Sequence, residues 1–182
     1  MTVIYRHTGR IGIDYALTGH EGEEFARFEV TPTPADLDAW FAQSDLAIEH
    51  AASTDQDLAL GRRLRFAIWH AAQAAAAGAP LPDEHVVTIE AAAAAPPLVP
   101  RIDGGWREPT ARAALSTIAR DVIEMLADPA QHARVRICAA DNCPVPFYDG
   151  SRPGRRRWCE DARCGDRHRQ RTHRQRRKDL TT

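Results

Sequence analysis

Apolar residues recur along this chain at helical spacing in four stretches, each opened by a recognisable start signal. Leu37, Trp40 and Phe41 stand at i, i+3, i+4 behind Thr33, Pro34 and Asp36. A hydroxyl before the first turn, a proline at the first helical position and an early carboxylate predict a helix of about three turns with one apolar face. Leu60, Leu64, Ala67, Ile68 and Ala71 follow Thr54–Asp55–Gln56–Asp57 and predict a longer helix ending near Gly78, a residue suited to a left-handed stop. Pro82–Asp83–Glu84 opens a third helix that Pro96–Pro97 must end. Thr110 opens a fourth, whose Leu115, Ile118, Val122, Met125 and Leu126 share a face and which Asp128–Pro129 closes. Between the third and fourth, Leu98–Val99–Pro100–Arg101–Ile102 and Trp106–Arg107 flank Asp103–Gly104–Gly105 and predict a small hairpin. Residues 1–30 are broken by Gly9, Gly12, Gly19 and Gly22, with a short strand or helix expected at 11–17 and an extended piece at 25–30.

The apolar periodicity stops around residues 129–136, where the cysteines begin. The expected fold is therefore mainly α with a minor β element. It divides into a helical N-terminal domain over 1–132 and a small C-terminal four-cysteine module over 133–182 that ends in a basic helix.

Composition changes this picture in one respect. Over 182 residues the formal net charge is only −1, yet residues 150–182 hold 12 basic against 4 acidic side chains, a net of +8. The other 149 residues carry 12 basic and 21 acidic side chains, a net of −9. A basic tail on an acidic body points to two tasks on one chain. No apolar run approaches the roughly 18 residues that a membrane span needs. The start MTVIYRHTGR lacks the cationic and apolar sequence of a secretory signal, so a cytoplasmic protein with no membrane partner is expected.

All four cysteines, Cys138, Cys143, Cys159 and Cys164, fall within 27 residues as C-x4-C, fifteen residues, C-x4-C. Two thiol pairs on turns, joined by a linker long enough to loop back, suit one structural Zn2+ in a tetrahedral four-thiolate site. Two disulfides are the alternative in an oxidising compartment, and an iron–sulfur cluster also takes four thiolates, usually at tighter spacings. A four-thiolate zinc site is closed and leaves no position for catalysis. With no nucleophile elbow, phosphate loop or metalloprotease helix in the sequence, no catalytic residue is assigned and no enzyme is expected. His168 and His173 are expected to stay off the metal.

The cysteines sit in the basic run. A helix from Asp166 places Arg167, Arg171, Arg174 and Lys178 on one face, with Arg169 and Arg176 pointing elsewhere. Like charges at i, i+4 repel, and phosphate offsets that repulsion by counterion release. The candidate nucleic-acid-binding residues are Arg155, Arg156, Arg157, Arg167, Arg169, Arg171, Arg174, Arg177 and Lys178, with DNA as the expected partner. RNA on the same surface, docking of the tail on its own domain, and a protein-interaction or homodimer module remain open alternatives. Trp158, Phe147 and Tyr148 are expected to form the module's small core. Arg101, Trp106 and Arg107 mark a candidate small-molecule pocket at the hairpin, against the plainer expectation that Trp106 packs as core. No effector is identified by the sequence.

The stretch Cys138–Ala–Ala–Asp–Asn–Cys143, then Phe147–Tyr148–Asp149–Gly150–Ser151, then Arg156–Arg157–Trp158–Cys159 and Cys164–Gly165–Asp166–Arg167 resembles the CGNR zinc finger. Ahead of it, the TPADLDAW helix start, the long second helix and the PRIDGGW turn resemble the helical ABATE domain that usually precedes that finger. The resemblance implies a bacterial zinc-binding protein proposed to regulate transcription through DNA. Asp166 departs from the asparagine of the CGNR tetrapeptide; both residues are good N-caps, so a helix starting there is expected to survive, with weaker attraction for phosphate.

Overall fold

The computed structural model describes residues 7–19 and 28–179. Residues 25–27 of the expected extended piece lie outside them, whereas the segment at 11–17 is resolved as a helix. The described elements are helices α1 (Ile11–Ala16), α2 (Pro34–Gln43), α3 (Asp55–Ala76) and α4 (Asp83–Ala93), then a hairpin of β1 (Val99–Pro100) and β2 (Trp106–Arg107). Helices α5 (Ala111–Ala127) and α6 (Pro129–His132) follow, then a second hairpin of β3 (Val135–Ile137) and β4 (Pro146–Tyr148). A π-helical turn (Asp161–Gly165) leads into α7 (Asp166–Asp179). The fold is mainly α with a minor β element.

The start signals act locally. Thr33 Oγ1 accepts from the Asp36 amide at 3.3 Å while the Asp36 carboxylate accepts from the Thr33 amide at 3.2 Å. Thr54 and Asp57 repeat this reciprocal cap, at 3.2 and 3.0 Å. Such caps satisfy backbone donors that the first turn leaves orphaned. Asp128 does more than close α5: it accepts from the Ala130 amide and so starts the one-turn α6.

Helix α3 is the organising element, packing against α1, α4, α5 and the β3–β4 hairpin. Its buried stripe runs Leu58, Gly61, Leu64, Ala67, Ile68, Ala71, Ala72 and Ala75. Ala92 and Ala93 of α4 and Ala111, Ala114 and Ala119 of α5 are buried too. Small side chains on three helices let their backbones approach, which gives the alanine-rich tracts a packing role. Bulk comes from Trp40, Tyr15 and Phe41, with Tyr15 and Trp40 edge to face at 5.0 Å. The one charge on the buried stripe of α3, Arg65, is matched by Glu29 and by the Thr31 hydroxyl at 3.2 Å.

The second hairpin joins this core. Val135 is one of its buried members and Tyr148 packs against it. The Tyr148 amide donates to the Thr8 carbonyl at 3.0 Å, and Gln73 Nε2 of α3 donates to the Pro144 carbonyl at 2.5 Å. Gly9 lies in the seam at φ +110°, where an added Cβ would come within 2.5 Å of the Tyr148 oxygen. Tyr148 therefore serves the helical body, not the small core of the cysteine module as the sequence suggested. The cysteine module is anchored along the body through β3 and β4.

Candidate metal centre

Each C-x4-C pair is closed by its own turn. Cys138 follows β3, and its amide donates to the Val145 carbonyl at 3.0 Å. Asn142 adopts φ 60° and the Cys143 amide donates to Ala140 at 3.1 Å, so the chain doubles back between the first two sulfurs. Cys159 precedes the π-helical turn and Cys164 lies inside it, with the Cys164 and Gly165 amides both donating to the Glu160 carbonyl at 2.8 and 3.4 Å. This wide turn brings residues five apart onto one side and accounts for a four-residue spacer where two is commoner. Gly165 is closely approached here: a Cβ would lie 2.3 Å from the Oδ1 of the exposed Asp161, which would have to turn aside, and 3.0 Å from Trp158 Cδ1. The Ala139 amide donates to the Arg157 carbonyl at 2.9 Å and ties the two halves together.

The four sulfurs converge, all within 4.8 Å of one another. Cys143 and Cys159 Sγ are 3.8 Å apart, Cys159 and Cys164 3.7 Å, and Cys164 and Cys143 3.7 Å. A tetrahedron with zinc–sulfur bonds of about 2.3 Å has edges of about 3.8 Å. A disulfide needs about 2.05 Å, and all four cysteines are free. The spacing fits one structural Zn2+.

The electrostatics point the same way. Burial, then the charges of Cys143 and Cys138, push the Cys159 thiol far above its ordinary value, and burial pushes Cys164 up to about 11. Burial also opposes ionisation of Cys138, but backbone hydrogen bonds from Cys159 and Ala140 hold it below the ordinary value. Crowded thiols give up their protons together only against a compensating positive charge, which a divalent ion supplies.

A buried aspartate holds the linker between the pairs. Asp149 is 0% exposed; its carboxylate accepts from the Ser151 amide at 3.0 Å, the Ser151 hydroxyl at 2.5 Å and the Arg156 amide at 2.9 Å. Arg136 Nε stands 3.7 Å away. Burial works to raise this carboxyl, but the Ser151 and Arg156 hydrogen bonds and the Arg136 charge outweigh it and hold it below the ordinary range. Asp149→Ala is expected to lower the opening free energy of residues 146–157, read by hydrogen exchange on the zinc-loaded chain, by about 2–3 kcal/mol. A group with a depressed folded value stabilises above its unfolded value and stops doing so as pH falls through the folded one. The gap between wild type and variant therefore narrows in acid.

The basic residues divide sharply by environment. Arg156 is a staple: Nε donates to the Trp158 carbonyl at 2.8 Å, one terminal nitrogen reaches the Cys159 carbonyl and, at 3.4 Å, that of His7, and the guanidinium lies 5.1 Å over Phe147. Arg169 is held by Asp161 at 3.2 Å and Asp166 at 2.6 Å, and Arg171 by Asp141 at 3.2 Å. Arg155, Arg157, Arg163, Arg167 and Arg174 are exposed and have no carboxylate partner among the described residues. Arg157 stacks 4.9 Å over Trp158, Arg177 is exposed on α7, and the side chain of Lys178 lies outside the described residues. Arg152, Arg163 and Arg176, absent from the sequence-derived set, are exposed in the same way.

Asp166 is not the N-cap that the sequence suggested. Its φ of −61° and ψ of −43° are helical, because the helical run already begins at Asp161 and passes through the π turn into α7. Its carboxylate turns to Arg169 three residues on. Trp158 is a core residue, packed on the buried cluster of Cys138, Phe147, Cys159 and Cys164 and tilted against His168 at 4.8 Å.

At the first hairpin, Trp106 packs on the helical core and its Nε1 donates to the Leu46 carbonyl at 2.5 Å. Arg101 is paired to Asp103, with Nε 2.8 Å from Oδ1, and Arg107 is exposed. None of the three lines either the hollow between α4 and α5 or the one beside α1. A cavity of about 330 Å³ lies elsewhere, lined by His7, Arg10, Asp14, Asp45 and Asp121 among others. No helix among the described residues is long and apolar enough to cross a membrane.

Comparison with known families covers most of the chain. The ABATE model, described as "Putative stress-induced transcription regulator", matches residues 9–129. The CGNR zinc finger model matches residues 134–177 and spans all four cysteines. Neither description is that of an enzyme. A search of curated proteins finds no match.

Proposed function

The chain belongs to the ABATE family and carries a CGNR zinc finger, and from that premise we propose that it regulates transcription by gripping the phosphate backbone of duplex DNA with the finger. The observation that carries this reading is the group of exposed finger arginines without carboxylate partners among the described residues: Arg155, Arg157, Arg163, Arg167 and Arg174, with Arg152 and Arg176 beside them. Arg155, Arg157, Arg163 and Arg167 stand within four residues of Cys159 or Cys164 in the finger's small core, which fixes where the backbone can present them, and Arg174 lies further along α7. Exposed, unpaired cations on a fixed scaffold attract a polyanion chiefly through released counterions. The helical body supplies the platform to which β3 and β4 anchor the finger, and no base-reading pattern is assigned.

The test is the salt dependence of binding by the zinc-loaded chain. Five phosphate contacts on a duplex give a slope of log K against log salt of about −4 to −5. A flat dependence, or no binding at low salt, counts against the reading. Single-stranded RNA of the same length runs beside it, and tighter binding there moves the partner from DNA to RNA.

A further inference from the structure

Eleven arginines and one lysine in residues 150–182 overstate the positive charge that the finger offers. Three aspartates are placed against two of those arginines from different parts of the finger. Asp161 comes from the first turn of the π helix and Asp166 from the start of α7, and both close on Arg169. Asp141 comes from the loop inside the first cysteine pair, thirty residues before its partner Arg171. Arg169 is thus shared between two carboxylates, while Arg163 and Arg167 on the same stretch have none among the described residues.

We propose that Asp161 and Asp166 form a carboxylate clamp that withholds Arg169 from phosphate, and that Asp141 does the same to Arg171, so that the finger's grip on a polyanion is set below its arginine count. The inference rests on the nucleic-acid reading above and concerns the regulation of that same surface. The chemistry is competition between two classes of oxyanion for one guanidinium. Arg and carboxylate match in a planar fork, as Arg and phosphate do. The counterions released on binding are the cations condensed on the nucleic acid, so a clamped arginine brings about that release only by leaving its carboxylates, which then stand beside the phosphate and repel it. All the side chains concerned are half or more exposed, so the clamp is open to displacement by a dense polyphosphate but suppresses weak, non-specific contact. Asp166 is the third residue of the tetrapeptide that gives the finger its name, where that name has asparagine, and there this chain places one of the clamp's two carboxylates.

The test is a set of variants measured for duplex DNA affinity at several salt concentrations, with zinc content recorded for each. The paired change Asp161→Asn with Asp166→Asn is expected to tighten binding about tenfold at 0.1 M salt and to steepen the slope by about one contact. Arg169→Ala in the wild-type background is expected to change affinity less than twofold. Added to the paired Asp161→Asn and Asp166→Asn change, Arg169→Ala is expected to remove most of the gain. Should the gain persist without Arg169, general charge and not the clamp is responsible, and the proposal falls. It falls equally if wild type binds DNA and the paired change gives no gain. Because Asp161 lies beside the metal ligands, Asp141→Asn with and without Arg171→Ala repeats the cycle on a pair away from the π turn. If no form of the chain binds DNA, both the clamp and the nucleic-acid reading are overturned.

Discussion

Cys159→Ser is expected to lose the metal, the finger and nucleic-acid binding together, while the helical body stays folded. Structural zinc contributes on the order of 10 kcal/mol or more to a module of this size, comparable to the whole stability of a small domain. Residues 134–179 cannot replace that term, since the finger's buried cluster amounts to Phe147 and three cysteines with Trp158 packed alongside. Cys159 is only 2% exposed, and serine keeps the carbonyl that receives Arg156, so the substitution removes a ligand while leaving that hydrogen bond its acceptor. The expected readouts are less than one zinc per chain, lost amide protection from Cys138 through α7, and binding weakened at least a hundredfold. Far-UV circular dichroism retains most of its helical signal, because Trp40, Tyr15, Phe41, Leu64, Ile68 and Leu115 form a core of their own. The body does lose support where Val135 and Tyr148 enter it, about 1.5–3 kcal/mol for each apolar side chain that comes away. A variant that keeps one tightly held zinc and a protected finger contradicts this expectation.

Reversing Arg163, Arg167 and Arg174 to glutamate is expected to abolish DNA binding without disturbing the zinc. All three are exposed and have no carboxylate partner among the described residues, so their loss breaks no described ion pair. Arg163 and Arg167 are four residues apart, so the glutamate variant keeps a like-charged pair at that spacing and only the alanine version relieves it. The triple alanine version reduces the salt slope by about 2.7, from three contacts at about 0.9 each, and glutamate adds repulsion to that loss. Fluorescence anisotropy with a labelled duplex, together with zinc content and melting temperature, separates the effect from misfolding. Unchanged affinity in a fully zinc-loaded variant would mean that these arginines serve some other partner.

The parts of this molecule that were legible in its sequence are those set by near neighbours. The caps at Thr33, Thr54 and Thr110 act over three residues, the glycine turn at 103–105 over two, and the paired cysteine spacing over five. The parts that were not legible are set by contacts across tens of residues. Nothing local to Tyr148 says that it faces α3 and Thr8 and leaves the finger's core to Trp158. Nothing near Arg156 says that its guanidinium is engaged by the carbonyls of His7 and Cys159, while Arg155 and Arg157 on either side stay exposed. Asp149 was visible within the aromatic–Asp–x–Ser segment, but its role as acceptor for Ser151 and Arg156 follows only once the linker is folded. Asp166 was misplaced for a different reason: a π turn continues the helix backwards to Asp161, and helix-start rules written for α-helices put the cap at Asp166 instead of Glu160.

Everything placed on the finger depends on one ion drawing Cys138, Cys143, Cys159 and Cys164 together. Zinc K-edge X-ray absorption on the purified chain reads that directly. A single shell of four sulfurs at about 2.3 Å is the expected result. Nitrogen or oxygen in the first shell, fewer than four sulfurs, or a chain that refuses zinc would contradict it.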